Sequence, residues 1–192
     1  MLDNYTSNGY EKLCTLLVDL LNYGAASQLY VNYNTENLVN AALTETQKSW
    51  ATATDRELTS VLDQEYATVP NPTVTWKGAN LVLKEAVVMR FKVEAESVEG
   101  LHVKIVNGKE TVITTFEETD GGYYVYYDKL HAAQMSEPVY VTVYDGDTAV
   151  SNTVRYSIES YAASKQNDEN TQLADLVKAM MKYGDATKAY VN

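Results

Sequence analysis

A chain of 192 residues with 45% hydrophobic and 21% charged residues is long enough to bury a core, as one large domain or two small ones. Its net charge of -11 argues against binding to nucleic acid or to anionic membranes, because both require basic patches. There is no run of 18 apolar residues, and Met1–Tyr10 lacks the basic start and apolar core of a signal peptide. If the parent protein is secreted, we expect this chain to be a fragment of it.

Two related segments carry the first and last predicted helices. Leu13–Asn32 and Leu173–Asn192 are offset by 160 positions and are identical at 8 of 20 positions, including Tyr23/Tyr183 and Gly24/Gly184. Apolar residues recur with the spacing of an amphipathic helix in both copies. The predicted apolar face comprises Leu13, Leu16, Leu17, Leu20, Tyr23, Gly24, Ser27, Tyr30 and Val31 in the first copy, and Leu173, Leu176, Val177, Met180, Tyr183, Gly184, Thr187 and Tyr190 in the second.

The ends of these helices and their glycines allow further predictions. Thr6 or Ser7 is a suitable cap for the first helix, and the polar cluster 167–170 is suitable for the second. A glycine inside a helix costs about 1 kcal/mol relative to alanine, so Gly24 and Gly184 are expected to permit close packing. The alternative is that each glycine ends its helix.

The region between the first helix and the β-strands is less regular. Asn34–Lys48 predicts a second, weaker helix, and Leu58–Val69 an extended stretch. A domain boundary is predicted at Pro70-Asn71-Pro72, because proline breaks helices and favours extended conformation before it.

From Thr73 the apolar residues alternate with period two, which predicts seven or eight short strands. The strands are centred on Val74–Trp76, Val87–Ala95, Leu101–Ile105, Val112–Phe116, Tyr123–Tyr127, Val139–Tyr144 and Val154–Ile158. Turn signals separate them at Asn107-Gly108, Asp120-Gly121-Gly122 and Asp145-Gly146-Asp147, and Leu130–Met135 predicts one helical turn.

The predicted fold class is therefore α+β. An immunoglobulin-like or fibronectin-like antiparallel β-sandwich is flanked by N- and C-terminal amphipathic helices that pack together. The expected division is 1–69 for the N-terminal helical region and connector, 70–158 for the sandwich, and 159–192 for the C-terminal helix.

Four segments carry a resemblance to known proteins: Leu20–Leu38, Pro72–Leu83, Ser136–Lys165 and Leu173–Asn192. The two Tyr-Gly helices and the YDGDTAVSNT hairpin are its most specific parts. With them the chain resembles a module of large secreted or surface-displayed proteins of gut-dwelling Gram-positive anaerobes. The resemblance implies export, a surface setting and a non-catalytic part of a multimodular polypeptide. It implies no catalytic or binding residue.

No catalytic pattern is evident, so we expect no enzyme and no cofactor. Nucleophilic catalysis needs a base beside its nucleophile, but only His102 and His131 are available, and Cys14 lies among apolar helix residues. His102 alternates outward from a strand, which favours a solvated surface histidine. The acidic residues beside Asp120 and around Gly146 are the type of ligand that Ca²⁺ binds, but Asp-Gly is also the preferred hairpin dipeptide.

Surface aromatic residues supply the one candidate binding site. The chain has 16 Tyr against 2 Phe, and Tyr124, Tyr126, Tyr140 and Tyr144 are placed to share the outer face of a sheet, as in carbohydrate-binding modules. The alternative is that the terminal helices cover this face. Trp50 and Trp76 are expected in the core or an interface. We therefore expect a non-catalytic structural or interaction module whose partners are neighbouring modules or surface proteins, with carbohydrate binding as the alternative.

Overall fold

The computed structural model describes residues 10–83 and 86–192 and has an α+β fold with two antiparallel sheets and several helices. Among the described residues, none of the helices combines the length and apolar character that crossing a bilayer requires. The predicted cap at Thr6 or Ser7 lies outside the described residues.

Contacts within the chain divide it into two compact units. The first, which we call the helical unit, comprises Met1–Thr59, His131–Ser136 and Ala162–Asn192. The second, the sheet unit, comprises Ser60–Leu130 and Glu137–Tyr161.

Two long helices dominate the helical unit. The helices of the described residues are α1 (Glu11–Tyr30), α2 (Glu45–Lys48), α3 (Ile158–Lys165) and α4 (Thr171–Val191), with a 3-10 turn at Ala132–Gln134. Asn170 caps α4 as predicted, because its side-chain oxygen accepts a hydrogen bond from the backbone N–H of Leu173 at 3.2 Å. The 3-10 turn confirms the predicted helical turn within Leu130–Met135.

The buried face of α1 differs from the predicted one. Cys14, Val18, Asp19, Ala25 and Gln28 are buried, whereas the predicted face residues Leu20 and Val31 are 41% and 60% exposed. The prediction was wrong for these two residues, whereas the other seven residues of the predicted face are half-buried. It also missed that two polar residues lie on the buried side. In α4 most of the predicted face is buried, including Leu176, Val177 and Met180, but Tyr190 is 48% exposed.

The two polar residues are buried because each holds a loop. The Asp19 carboxylate accepts hydrogen bonds from the backbone N–H of Thr52 at 3.2 Å and from its hydroxyl at 2.7 Å. The side-chain oxygen of Gln28 accepts a hydrogen bond from the backbone N–H of Val39 at 2.8 Å. Its amide nitrogen donates to the carbonyls of Asn34 and Asn37 at 3.3 and 3.2 Å. Hydrogen bonding of this kind offsets the cost of burying a polar group.

The same contacts explain why the predicted helix over Asn34–Lys48 is mostly wrong. Gln28 binds the backbone of this segment, and Asn34 adopts a left-handed conformation with φ of +49°. Only the last four residues, α2, are helical. Thr44 and Gln47 form a reciprocal capping box at the start of α2.

The sheet unit contains the antiparallel strands. They are β1 (Asp63–Ala67), β2 (Thr75–Leu83), β3 (Val87–Glu94), β4 (Leu101–Asn107), β5 (Lys109–Ile113), β6 (Glu117–Thr119), β7 (Gly122–Tyr127), β8 (Val139–Asp145), β9 (Thr148–Ala149) and β10 (Thr153–Tyr156). Within the described residues, the six-stranded sheet has the order β1-β10-β8-β4-β5, with β9 on β8. The four-stranded sheet has the order β2-β3-β7-β6.

Most of the predicted strands and all three predicted turns are present. Gly108, Gly121 and Gly146 connect β4 to β5, β6 to β7 and β8 to β9, with φ of +64°, +71° and +53°. These are left-handed conformations that glycine adopts without strain. The predicted strand Val112–Phe116 is wrong in its bounds, because β5 ends at Ile113 and β6 begins at Glu117.

The alternation predicted from the sequence identifies the core of the sheet unit. Met89, Phe91 and Val93 of β3 are at most 1% exposed. The Phe91 ring forms T-shaped contacts with two other rings, that of Trp76 at 6.1 Å and that of Tyr156 at 5.9 Å between centroids. Trp76 is 6% exposed and its indole N–H donates to the carbonyl of Asn152 at 2.7 Å, as expected of a core tryptophan.

Tyr156 gives the sheet unit a specific sensitivity to alkaline pH. Burial raises the pKa of its phenol strongly, and the neighbouring Tyr161 adds to the shift. An unfolded tyrosine titrates near pH 10, so the stability that depends on neutral Tyr156 is fully present below that pH and is lost as the pH rises above it. We expect a loss of about 1.4 kcal/mol per pH unit beyond about pH 10.

Tyr156→Phe should remove that loss, because the ring is retained and the ionisable group is not. The measurement is the urea midpoint of the variant at pH 9 and pH 11, beside the parent. Tyr66→Phe changes a tyrosine that is 47% exposed in the same unit and controls for loss of a phenol. Equal alkaline losses in the parent and Tyr156→Phe would contradict the prediction.

Candidate ligand-binding surface

The four candidate tyrosines lie on two sheets. Tyr124 and Tyr126 belong to β7 of the four-stranded sheet, and Tyr140 and Tyr144 belong to β8 of the six-stranded sheet. The expectation that all four share one face is therefore wrong. Alternation along a strand gives the side on which a residue lies, but strand pairing decides its neighbours.

Tyr124 and Tyr126 lie together but do not form a flat platform. Their ring centroids are 6.2 Å apart and their planes are tilted by 58°. The guanidinium carbon of Arg90 lies 4.4 Å from the centroid of the Tyr124 ring. The Nε of Arg90 also donates to the side-chain oxygen of Asn80 at 2.9 Å. A face of Tyr124 is thus already occupied by a protein cation.

A recess opens beside Tyr126 on the same sheet. It is open to solvent, has a volume of about 500 Å³, and is lined by Val82, Val88, Glu117, Tyr126 and Asp128. This volume is within the range of about 300–1,000 Å³ that is usual for small-molecule sites. Two aliphatic side chains, one aromatic ring and two carboxylates therefore converge on one cavity.

Strand pairing assembles this recess. Val82 of β2 is paired with Val88 of β3, and Tyr126 of β7 is paired with Arg90, two residues further along β3. Glu117 comes from the edge strand β6, and Asp128 follows β7 directly. Sequence reasoning missed both valines and Asp128, and considered Glu117 only as one of the acidic residues beside a turn.

The Tyr126 phenol remains a neutral hydrogen-bonding group. Desolvation raises its pKa, the neighbouring Glu117 carboxylate raises it further, and Arg90 acts in the opposite direction. At neutral pH the hydroxyl can therefore donate and accept hydrogen bonds. The Asp128 carboxylate forms an ion pair with the Lys129 ammonium at 3.0 Å.

Tyr140 and Tyr144 lie in different surroundings. The Tyr140 ring contacts that of Tyr66 at 4.9 Å between centroids, with a tilt of 50°. The Tyr144 ring stacks on His102 at 5.7 Å, and the Lys104 ammonium lies 4.6 Å from its centroid. His102 is half-buried in this stack rather than fully solvated.

No metal site is visible in the described residues, where no group of three or more His, Cys, Asp and Glu side chains is placed to hold an ion. Asp145 pairs with Thr148 across the β8–β9 hairpin. The hairpin interpretation of the Asp-Gly-Asp sequence is therefore confirmed.

The predicted structural residues lie in the helical unit. The rings of Tyr23 and Tyr183 stack at 5.8 Å between centroids and within 9° of parallel. Gly24 and Gly184 lie inside α1 and α4, so the alternative that they end their helices is wrong. A Cβ on Gly184 would lie 3.0 Å from the Met135 sulfur and 3.1 Å from the Ala132 carbonyl oxygen.

The helical unit also has a small pocket, of about 150 Å³. Its charged groups largely pair with each other. The Lys182 ammonium lies 2.8 Å from the Asp55 carboxylate, and Arg56 Nε lies 2.6 Å from that of Asp185. The pairing with Lys182 lowers the pKa of Asp55. The larger recess beside Tyr126 is therefore the better candidate for ligand binding.

Comparisons of the chain with protein-family models, curated proteins and solved structures found no match. The proposals that follow therefore rest on the geometry and the sequence of this chain.

Proposed function

We propose that this chain is a non-catalytic structural or interaction module of an extracellular, multimodular bacterial protein. The observation that carries the proposal is the stack of Tyr23 on Tyr183, which are equivalent residues of the two repeat copies. What the copies retain is packing chemistry. Their polar residues differ, since Asp19 and Gln28 correspond to Ala179 and Lys188.

We infer that α1 and α4 form a packed pair, parallel and in register. A shared cleft of about 210 Å³ supports this, because Asp19 and Ala179, and likewise Asn22 and Lys182, are equivalent pairs that line it together. Equivalent residues meet repeatedly only when two helices run in the same direction. Such a pair joins segments that are 160 residues apart, so that packing between the two helices holds the N- and C-terminal parts of the chain together.

For the sheet unit we propose an immunoglobulin-like sandwich. The edge-to-face contact of Phe91 with Tyr156 supports it, because β3 and β10 belong to different sheets. The Trp76 hydrogen bond to Asn152 likewise joins β2 to the segment before β10. In a sandwich the inward side chains of two sheets interdigitate in this way.

The proposed setting is the cell surface or the extracellular medium. It is supported by the resemblance of the Tyr-Gly helices and the hairpin at Asp145 to surface modules. The partners are then other modules of the same polypeptide or surface proteins. Protease treatment of intact producing cells should release peptides of this chain; release only after lysis would contradict the setting.

A double-mutant cycle tests the helix pair. Tyr23→Ala and Tyr183→Ala should show a coupling energy of about 0.5–1.5 kcal/mol, the usual value for a stacked aromatic pair. The measurement is urea unfolding followed by circular dichroism at 222 nm. Tyr183 with Tyr33, which is 69% exposed, forms the control pair and should show no coupling. Equal coupling in both cycles would contradict the proposed pair.

Carbohydrate binding through surface tyrosines is the second candidate function. The observation that favours it is the recess at Tyr126, where an aromatic ring and carboxylates line one cavity of ligand size. A glycan array probed at high protein concentration tests it. Absence of binding to every glycan would count against it.

A further inference from the structure

We propose that the recess beside Tyr126 binds an uncharged segment of a glycan, and that Tyr126 is the only one of the four candidate tyrosines that contacts it. This inference rests on the second candidate function, carbohydrate binding. It assigns that function to one site and one ligand class.

The recess offers the two kinds of surface that a sugar ring needs. A pyranose has apolar C–H faces and a rim of hydroxyl groups. Val82, Val88 and the Tyr126 ring provide apolar surface for the faces. The carboxylates of Glu117 and Asp128 accept hydrogen bonds from hydroxyl groups, and charged acceptors form the stronger bonds.

The charges at the recess argue against an anionic ligand. Among the lining residues that the structure describes, the ionisable groups apart from the phenol of Tyr126 are the carboxylates of Glu117 and Asp128. A uronate or sulfate group placed there would face charges of the same sign, inside a chain of net charge -11. The described cations beside these groups already have partners. The Lys129 ammonium pairs with the Asp128 carboxylate at 3.0 Å, and Arg90 contacts Asn80 and the ring of Tyr124.

The other three tyrosines are poor platforms for a sugar at this recess. Tyr124 lies under the Arg90 guanidinium. Tyr140 and Tyr144 belong to the other sheet and contact Tyr66, His102 and Lys104. A glycan that depended on all four rings would have to reach both sheets, whereas the recess beside Tyr126 is a single cavity.

The test uses the whole chain and sets of pentasaccharides that differ in charge. Neutral probes are the β-1,4-linked glucose, xylose and mannose oligomers and α-1,4-linked glucose; charged probes are oligogalacturonate and the glucosamine oligomer. Binding is followed by calorimetric titration and by NMR shifts of the Tyr126 and Glu117 amides. We expect at least one neutral probe to bind and oligogalacturonate to bind at least tenfold more weakly.

Variants then locate the site. Tyr126→Ala and Glu117→Gln should each weaken binding about tenfold, or about 1.4 kcal/mol. Tyr126→Phe retains the ring and should retain most of the affinity, which also separates loss of contact from loss of folding. The matched controls Tyr124→Ala and Tyr144→Ala should change the affinity less than twofold.

The possible results distinguish failure of the proposed site from failure of the ligand class and from failure of carbohydrate binding itself. Binding that survives Tyr126→Ala but not Tyr144→Ala would overturn the site while leaving carbohydrate binding intact. Tighter binding of oligogalacturonate or of the glucosamine oligomer than of every neutral probe would overturn the ligand class. If no probe binds the parent at millimolar concentration, both the inference and the carbohydrate-binding candidate fail.

Discussion

Phe91→Ala is expected to lower the free energy of unfolding of the sheet unit by about 3–5 kcal/mol, the usual cost of truncating a buried phenylalanine. Phe91 is 0% exposed and its ring meets Trp76 and Tyr156. The truncation therefore removes apolar burial and two edge-to-face contacts, and it leaves a cavity that the surrounding rings cannot fill without moving.

The measurement is urea unfolding monitored by tryptophan fluorescence. In a Trp50→Phe background the remaining tryptophan, Trp76, reports on the sheet unit. Val112→Ala is a suitable control, because this side chain is 52% exposed on β5 and should cost less than about 0.5 kcal/mol. A loss below about 1 kcal/mol for Phe91→Ala would contradict a shared core.

A cycle between Phe91 and Tyr156 extends the test to the proposed sandwich. The two residues come from different sheets, so their coupling measures whether the sheets share a core. We expect coupling of about 0.5–1.5 kcal/mol between Phe91→Leu and Tyr156→Leu. Additive effects would mean that the ring contact contributes nothing to stability and would remove the main support for the sandwich.

Local features of this fold were predictable because local sequence determines them. The Asp-Gly and Asn-Gly dipeptides impose left-handed turns, and period-two alternation identifies the buried side of β3 and β8. The break in the strand predicted over Val112–Phe116 was not predictable in this way. The β-branched residues of this segment favour a strand, yet here the chain leaves one sheet and enters the other.

The orientation of α1 required information from distant parts of the chain. Hydrophobic periodicity assumes that polar residues face solvent, yet Asp19 and Gln28 are 1% and 8% exposed. Their hydrogen-bond partners lie 33 positions away for Asp19 and up to 11 for Gln28. A sequence pattern that does not identify those partners assigns these residues to the wrong side of the helix.

The candidate site was only partly predictable for the same reason. Tyr126 was identified from its type and its place on a strand. The recess needs residues from β2, β3 and β6 together with Asp128, and only strand pairing brings them to one place. Outward-facing tyrosines on a strand indicate a candidate surface for binding, but they do not show which rings are already covered by Arg90 or by His102.

Replacing the glycines of the repeat by leucine should change the stability of the helical unit, and the loss should be much larger for Gly184 than for Gly24. Gly184→Leu is expected to destabilise the helical unit by about 3 kcal/mol through overpacking. Even a Cβ there would lie 3.1 Å from the Ala132 carbonyl oxygen, which is backbone, and 3.0 Å from the Met135 sulfur. Met135 is 6% exposed, so it has little room to move.

Gly24→Leu is the matched control from the first copy. A Cβ at position 24 would lie 2.9 Å from the Cγ2 of Val39, but the Val39 side chain is 50% exposed and can change its rotamer. Replacing a mid-helix glycine also gains up to about 1 kcal/mol of helix propensity, so we expect a net change within about 1 kcal/mol. Urea unfolding followed at 222 nm compares the two variants. Equal losses would mean that the glycines are equivalent. A loss only in Gly184→Leu would show that the two equivalent glycines have different packing roles, and that Gly184 is the one that allows α4 to pack closely on the 3-10 turn.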